Sequence, residues 1–262
     1  MTADEQSTAG LTEAELGPGI PTRPIPISGG AGNATARTSA PRVQVPDSVL
    51  EELSATGATV IAEPPELAEH SRDWWPLAMT WAVSGEVPAL ATAVVRPNRE
   101  EQVAAVLAAC NRAAVPVTAA GGRSSVLGGT VPAFGGVVLD LSGLSGIHSV
   151  DHESLVVDVA CGTFGDRFED ELRRVHGLTC GHWPQSMTLS TVGGWLACRG
   201  AGQFSTRYGK IEDMVVGLTV ALADGRTITT GGAPRAATGP DLNQLFVGSE
   251  GTLGVVTEVE LT

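Results

Sequence analysis

Short apolar runs and amphipathic stretches alternate along most of this chain, and their periods predict its elements. Ala91 to Val95, ending at Arg96-Pro97, reads as a strand. Asn98-Arg99-Glu100-Glu101 follows, an Asn with an acid three residues later, which is the pattern of a capping box. Val103, Val106, Leu107 and Cys110 recur at i, i+3, i+4 and i+7 and predict an amphipathic helix. Val115-Pro116-Val117-Thr118 is the next short strand, so the unit is β-α-β. Gly136 to Leu141 reads as a buried strand and Ser154 to Val159 as one more. A second helix, Phe164 to His176, is expected to place Phe168, Leu172 and Val175 on one face. Leu218 to Leu222 and Thr227 to Thr229 flank Ala223-Asp224-Gly225-Arg226, whose Asp-Gly pair predicts a hairpin turn. A helical Asp241 to Phe246, a glycine-bearing turn and the strand Val255 to Leu261 complete an α+β pattern. It divides into lobes of about 88–150 and 151–262.

The pattern is absent at the start. Residues 1–46 are rich in Ala, Gly, Pro, Ser and Thr, with breakers at Gly17-Pro18-Gly19 and Gly29-Gly30-Ala31-Gly32, and are expected to form a disordered leader. Pro46-Asp47-Ser48 then offers a helix start, with Val49, Leu50 and Leu53 on one face, opening a helical linker over 47–87. Met1-Thr2-Ala3-Asp4-Glu5-Gln6 is acidic and carries no signal-peptide pattern, and no run of about 18 apolar residues is present. Cys110, Cys161, Cys180 and Cys198 show no CxxC spacing, so reduced, buried thiols in a cytoplasmic protein are expected.

A net charge of −13 argues against nucleic acid as a partner. It leaves room for an anionic cofactor held by backbone N–H groups instead of lysines. Three segments suit that task. Ala119-Ala120-Gly121-Gly122-Arg123-Ser124-Ser125-Val126 follows a strand, and its glycines allow consecutive amides to approach a diphosphate; alone, it reads equally as a mobile surface loop. It lacks the Gly-Lys-Ser/Thr of a phosphate-binding P-loop and the glycine spacing of the dinucleotide fingerprint. Gln185-Ser186-Met187-Thr188-Leu189-Ser190-Thr191-Val192-Gly193-Gly194 is rich in hydroxyls before two glycines. It suits a flat, hydrogen-bonding ring, or equally a capped turn before a helix. Gly248-Ser249-Glu250-Gly251-Thr252-Leu253-Gly254-Val255-Val256 leads into the last strand and alone is an ordinary turn.

Five stretches in register carry a resemblance: Gly181-His182-Trp183-Pro184, Ser190-Thr191-Val192-Gly193-Gly194-Trp195, Tyr208-Gly209-Lys210-Ile211-Glu212-Asp213, Thr238-Gly239-Pro240-Asp241 and Gly248 to Val255. From about residue 88 to the end, the chain resembles the FAD-binding domain of the vanillyl-alcohol oxidase / p-cresol methylhydroxylase (PCMH) superfamily. Within that superfamily it is most similar to the alkyldihydroxyacetonephosphate synthase-like FAD-linked oxidases. The resemblance implies a two-lobed PCMH-type domain with FAD in the cleft between lobes. Carried over by position, Ala119, Ala120, Gly121, Gly122, Arg123, Ser124, Ser125 and Val126 become the pyrophosphate loop. Gln185, Ser186, Met187, Thr188, Leu189, Ser190 and Thr191 would meet the diphosphate, ribityl chain and flavin ring, with Gly193 and Gly194 against the ring. Cys198, Arg199, Gly200 and Ala201 would add further contacts. Glu250, Gly251, Thr252, Leu253, Gly254, Val255 and Val256 would close over the adenosine side.

At the third position of the loop many members carry Gly and covalent flavoproteins carry His. Arg123 there implies FAD held non-covalently, with the guanidinium either near a phosphate or turned to solvent. His182 lies beside the presumed flavin loop; His70, His148, His152 and His176 are read as surface or turn residues. No HxxxH or HExxH pattern is present, so no metal site is expected. In the family a substrate, or cap, domain follows. The resemblance therefore assigns no catalytic residue to this chain and places a small-molecule substrate against the absent cap, with oligomeric state open. Two other readings stand beside an oxidoreductase of the alkyldihydroxyacetonephosphate synthase type: a domain for D-lactate- or glycolate-type 2-hydroxy-acid oxidation, and a non-catalytic flavin-binding remnant.

Overall fold

A computed structural model describes residues 23–233 and 237–262. The first half supplies β1 (Thr35–Ala36), α1 (Asp47–Ala55), β2 (Thr59–Ile61), α2 (Pro64–His70), α3 (Pro76–Ala82), β3 (Glu86–Val87), β4 (Ala93–Arg96), α4 (Glu100–Arg112), β5 (Val117–Ala120) and β6 (Val137–Asp140). β2, β4, β6 and β5 form a sheet in that order, with β4, β6 and β5 mutually parallel and β2 antiparallel at the edge. Every residue of β6 is buried because both faces of the sheet are covered. Val137 and Leu139 join α1 and α4 in one apolar cluster, and Val138 joins Val94 and Ala120 in another.

The second half supplies β7 (Ile147–Asp151), β8 (Val156–Ala160), α5 (Gly165–Glu171), α6 (Val192–Ala197), α7 (Ser205–Tyr208), α8 (Ile211–Met214), β9 (Val215–Ala221), β10 (Thr227–Gly231), α9 (Asn243–Phe246) and β11 (Val255–Leu261). Its five strands run antiparallel in the order β10-β9-β11-β8-β7. One face carries the second core, with Phe168, Leu196, Ile211 and Val259 fully or almost fully buried. The opposite face gives Ala160, Ala221 and Val255 to the cluster around α4, so that helix is wedged between the two sheets. The α+β architecture follows from these periods, and α4 buries Val103, Val106, Leu107 and Cys110 as the spacing predicts.

Several local expectations need correction. The capping box of α4 starts one residue later than Asn98. Gln102 Oε1 accepts from the backbone N–H of Asn98 at 2.8 Å and Arg99 at 3.3 Å, so the amide three residues into the helix does the work. Helix α5 continues as a π turn over Leu172–His176, whose wider register turns Val175 out to 61% exposure while Phe168 and Leu172 stay inside. Strand β7 escaped the sequence reading because His148 is an extra residue against β8, a bulge that breaks the alternation. The disordered leader fails from residue 23 on. Ile27 is buried with Ala68, Ala82 and Val87, and Thr35–Ala36 pairs in parallel with β3, so isolated apolar residues dock a Pro/Gly-rich segment; residues 1–22 lie outside the described residues. Of the four free cysteines, Cys198 is exposed.

Candidate functional site

Strands β4, β5 and β6 end side by side at Arg96, Ala120 and Asp140, and parallel sheets bind ligands beyond their carboxyl ends. Above these ends lies a half-open cleft between the two sheets. The first segment lines it from Ala119 through Ser125, together with Gly129 and Thr130. From the second come Thr191, Gly193, Gly194 and Cys198, and from the third Glu250, Gly251, Gly254, Val255 and Val256. Residues that the sequence reading did not assign complete the wall: Leu141 after β6, Cys161 after β8, Ala197 in α6, Phe246 in α9, and Ser249. Leu141, Cys161, Ala197 and Phe246 have no motif of their own, because only the pairing of distant strands and helices brings them here. Cys161 is fully buried, which pushes its thiol far up and keeps it protonated.

The glycines of the loop are needed for its docking. A Cβ on Gly121 would lie 2.3 Å from Thr191 Oγ1, and one on Gly122 1.9 Å from the Leu189 carbonyl oxygen. The first segment therefore lies directly on the second. Thr191 in turn caps α6, accepting from Gly194 N at 3.2 Å, while Gly193 N donates to the Cys161 carbonyl at 2.7 Å. Gly193 also lies so close to Cys161 that a Cβ would meet its side chain at 2.7 Å. Beyond the glycines, the loop is braced by Trp75, 3.2 Å from where a Cβ of Gly128 would sit.

Between these anchors, the backbone N–H groups of Gly122 to Ser125 donate no hydrogen bond to the protein among the described residues. A buried or half-buried run of free amides is costly unless a ligand or water accepts from it, and such a run forms an anion-binding concavity. Arg123 stands in the middle of it in the left-handed region, at φ +54°. Only 9% of it is exposed, so the solvent-facing alternative falls away. Its Nη1 is buried without a hydrogen-bond partner, 3.9 Å from Asp140 Oδ2.

Asp140 is fully buried and saturated with donors. Oδ2 accepts from Arg96 Nε at 2.9 Å and lies 3.1 Å from His70 Nε2; Oδ1 accepts from Ser142 N at 3.1 Å and Ser142 Oγ at 2.7 Å. Burial alone would raise this carboxyl, but the His70 bond and the Arg123 and Arg96 charges outweigh it and hold it well below the usual range. His70 was expected at the surface. It is buried, and its other ring nitrogen lies 2.8 Å from the Glu66 carbonyl.

The structure leaves the other expected residues outside the cleft lining. Gln185, Ser186, Met187, Thr188 and Leu189 form a turn closed on itself. Ser190 Oγ donates to the Ser186 carbonyl at 2.8 Å and accepts from Trp195 Nε1 at 2.7 Å. Arg199 donates to the carbonyls of Gln244 and Val247, tying α6 to α9, and Gly200 and Ala201 follow it away from the cleft. Val126, Thr252 and Leu253 also stay off the wall, with Val126 and Leu253 exposed. His182 is 1% exposed with both ring nitrogens unpartnered, its ring 4.7 Å from that of Trp195; burial pulls its pKa down to about 4. On the face of the second sheet that packs against α4, His148, Asp158 and Glu258 bring donor atoms within 4.8 Å of one another, a grouping set by three separate strands that linear spacing does not announce.

Comparison with known proteins places this geometry. Residues 91–231 match the family described as FAD binding domain. An uncharacterized FAD-linked oxidoreductase of Escherichia coli K12, YgcU, is 42% identical over 168 residues, covering 64% of this chain and 34% of that protein. The alkyldihydroxyacetonephosphate synthase of Caenorhabditis elegans is 35% identical over 184 residues, 68% of this chain and 30% of the relative. Glycolate oxidase subunit GlcD of Bacillus subtilis is 36% identical over 185 residues, 70% of this chain and 39% of the relative. A solved alkyldihydroxyacetonephosphate synthase superposes with a TM-score of 0.77 at 25% identity, over 92% of this chain and 46% of that one. The chain thus covers between 30% and 46% of the length of these proteins. With a family match over more than half its residues and a cleft of free amides where the matched segments meet, the chain belongs to the FAD-binding domain family of flavin-dependent oxidoreductases, in its VAO/PCMH-type form, and its cofactor is FAD.

Proposed function

We propose that this chain holds FAD non-covalently along the cleft and presents its flavin to a small-molecule substrate gripped by residues outside the described chain. The observation that carries the reading is the run of free amides from Gly122 to Ser125 beside buried Arg123, whose Nη1 has no hydrogen-bond partner. Together they offer an anion more donors than any surface loop needs, and they agree with the family's cofactor.

In this reading the Gly122–Ser125 amides and Arg123 take the diphosphate. Gly193 and Gly194 leave room for the flavin ring, and Glu250 to Val256 close the adenosine end. Bound FAD supplies the redox chemistry; the protein supplies binding and orientation. Arg123 stands where covalent members carry His and cannot form their bond to the flavin, and the protonated Cys161 thiol offers no thiolate for another link. Two lobes, about 88–150 and 151–262, would flank the cofactor.

The function proposed is that of the FAD-binding part of a flavin-dependent oxidoreductase resembling alkyldihydroxyacetonephosphate synthase, supported by the structural likeness over 92% of the chain. Relatives named for glycolate and D-lactate match at 36% and 37% identity, so the 2-hydroxy-acid reading stands as the second. A spectrum of the purified chain before and after acid precipitation tests the proposal. A flavin double band that passes into the acid supernatant supports it. A folded, colourless protein that does not take up added FAD refutes it.

A further inference from the structure

The antiparallel sheet carries a second polar grouping, made by His148, Asp158 and Glu258 on the face that packs against α4. None of the three lines the cleft. Two β-bulges build the grouping. Against β8, His148 is an extra residue between Ile147 and Ser149; against β9, Thr257 is an extra residue between Val256 and Glu258. Bulges re-aim the side chains beside them. Because β7 and β11 flank β8, His148 and Glu258 meet Asp158 from its two sides.

The contacts within the grouping do not close on themselves. His148 Nδ1 lies 2.9 Å from Glu258 Oε1 and 3.8 Å from Asp158 Oδ1. A single N–H there serves Glu258 and leaves Asp158 beyond hydrogen-bonding distance. Asp158 Oδ1 is covered from solvent and has no hydrogen-bond partner, a costly state for a carboxylate oxygen. Glu260 stands opposite Asp158 across the β8–β11 pair and adds a third carboxylate. Among the described residues, no lysine or arginine pairs with any of these three acids. Asp158 and Glu258 are in contact, and like charges so placed need a proton or a cation between them.

We propose that His148 Nδ1, Asp158 and Glu258 bind one divalent transition-metal ion, of the Zn2+ or Mn2+ class, which fastens β7 and β11 to β8. An imidazole nitrogen with two carboxylates is a mixed N/O donor set that suits these ions, whereas Mg2+ and Ca2+ prefer oxygen throughout. The donor atoms lie within 4.8 Å of one another, so small side-chain rotations bring each to the roughly 2.0–2.2 Å that such ions require. An ion offers several coordination positions where Nδ1 offers one, and it supplies Asp158 Oδ1 with the partner that the protein does not. Half-exposed His148 and the hollows on either side of Glu258 leave room for water at the remaining positions.

The grouping is separate from the cleft, so its test is independent of the FAD reading. The tag-free full chain is stripped with EDTA, titrated with Zn2+, Mn2+ and Mg2+ by calorimetry, and followed in thermal melts. One equivalent of Zn2+ or Mn2+ should bind, with Mg2+ at least about tenfold weaker. A saturating ion should raise Tm by about 5–10 °C. His148→Ala and Glu258→Gln should each weaken the ion at least about a hundredfold, more than the loss of an outer-shell partner does. Circular dichroism confirms that both variants fold. His152→Ala is the control: His152 and His176 face each other at 3.4 Å elsewhere on the surface, and its loss should leave binding unchanged. Binding lost in His152→Ala and intact in His148→Ala overturns the proposal and places the ion on that second pair. Unchanged affinity in folded His148→Ala and Glu258→Gln also overturns it, as does a stripped wild type that binds none of the ions; the carboxylates are then bridged by a proton alone. Equal affinity for Mg2+ and Zn2+ overturns the assignment to a transition-metal ion.

Discussion

Replacing Asp140 by Asn changes one atom and should be among the most damaging single substitutions in this chain. The carboxylate is fully buried and receives its donors on both oxygens: Arg96 Nε at 2.9 Å on Oδ2, with His70 Nε2 3.1 Å away, and Ser142 N and Oγ at 3.1 and 2.7 Å on Oδ1. An amide offers one oxygen and one NH2 group, so whichever way it turns, a donor faces donors. The negative charge also disappears beside buried Arg123 and half-exposed Arg96. Breaking a buried pair by removing one partner costs about 3–5 kcal/mol, because the charge left behind is uncompensated. For a chain of this size that is roughly a 10 °C fall in Tm. Urea melts give the value directly, and adding Arg123→Met to Asp140→Asn should return part of it, since the stranded cation is then removed. The pH dependence has a definite sign. The carboxyl is held below its ordinary 3.8, so the wild-type advantage over Asn is present above that pH and shrinks as pH falls below it. An Asn variant within about 1 kcal/mol of wild type at pH 7 would refute the reasoning, showing that Arg96 and Arg123 find other partners or water.

Gly122→Ala should cost at least ~2 kcal/mol in urea melts and lose FAD, because its Cβ would sit 1.9 Å from the Leu189 carbonyl oxygen. Gly194→Ala, whose Cβ meets only Thr191 Oγ1 at 3.3 Å, should stay within about 1 kcal/mol; equal effects would show that the docking of the two loops is misread. His182 titrates at about 4 when folded and near 6.5 when unfolded, so stability should be flat above pH 6.5 and fall by at most about 3 kcal/mol toward pH 4. His182→Phe should flatten that acid limb, and an unchanged limb would locate its cause elsewhere. Burial and contact with Glu258 raise Asp158 to about 7, so the wild type should lose stability as pH rises from 4 to 7 relative to Asp158→Asn. The two melting curves should therefore separate most above pH 7, and parallel curves from pH 4 to 8 would refute the raised Asp158.

The legible parts of this fold were those with strong local periods. Helix α4 and strand β11 follow their apolar spacing almost residue for residue. The elements that were misplaced each obey a competing local rule: the bulge at His148 hid β7, the π turn rotated Val175 outward, and Gln102 displaced Asn98 from the capping box. In the site, glycine runs revealed where backbone approaches backbone, but not what it approaches. Gly121 and Gly122 read as space for a ligand, whereas their missing side chains first admit Thr191 and Leu189. The hydroxyls of the second segment read as ligand donors, yet Ser186 and Ser190 bond each other and Trp195. Such choices between partners close in sequence are decided by tertiary packing that no spacing encodes. His70, Arg96 and Asp140 were invisible for the same reason, since strands β4 and β6 and helix α2 bring them together from positions up to 70 residues apart.

An anionic dinucleotide in a protein of net charge −13 poses an electrostatic problem that the proposed site would solve at short range. The chain contains a single lysine, Lys210, and that side chain is engaged with Glu212. Long-range attraction is therefore not the source of affinity, because distant charges are screened beyond about 8–10 Å at ordinary salt and here carry the wrong sign. In the proposed site, amide dipoles and one desolvated guanidinium would act at contact distance, where the local dielectric is low and the solvent does not compete. Their cost falls on the protein before the ligand arrives, as free amides in the loop and a buried cation with no acceptor. Asp140 makes that arrangement tolerable by offering charge without offering a hydrogen bond. If its lone pairs were open, Arg123 would bond to it and close the cleft; if the carboxylate were absent, the guanidinium would have to reach water. The saturation of Asp140 by Arg96, His70 and Ser142 thus leaves the arginine both buried and available, the condition a phosphate-recognising side chain requires.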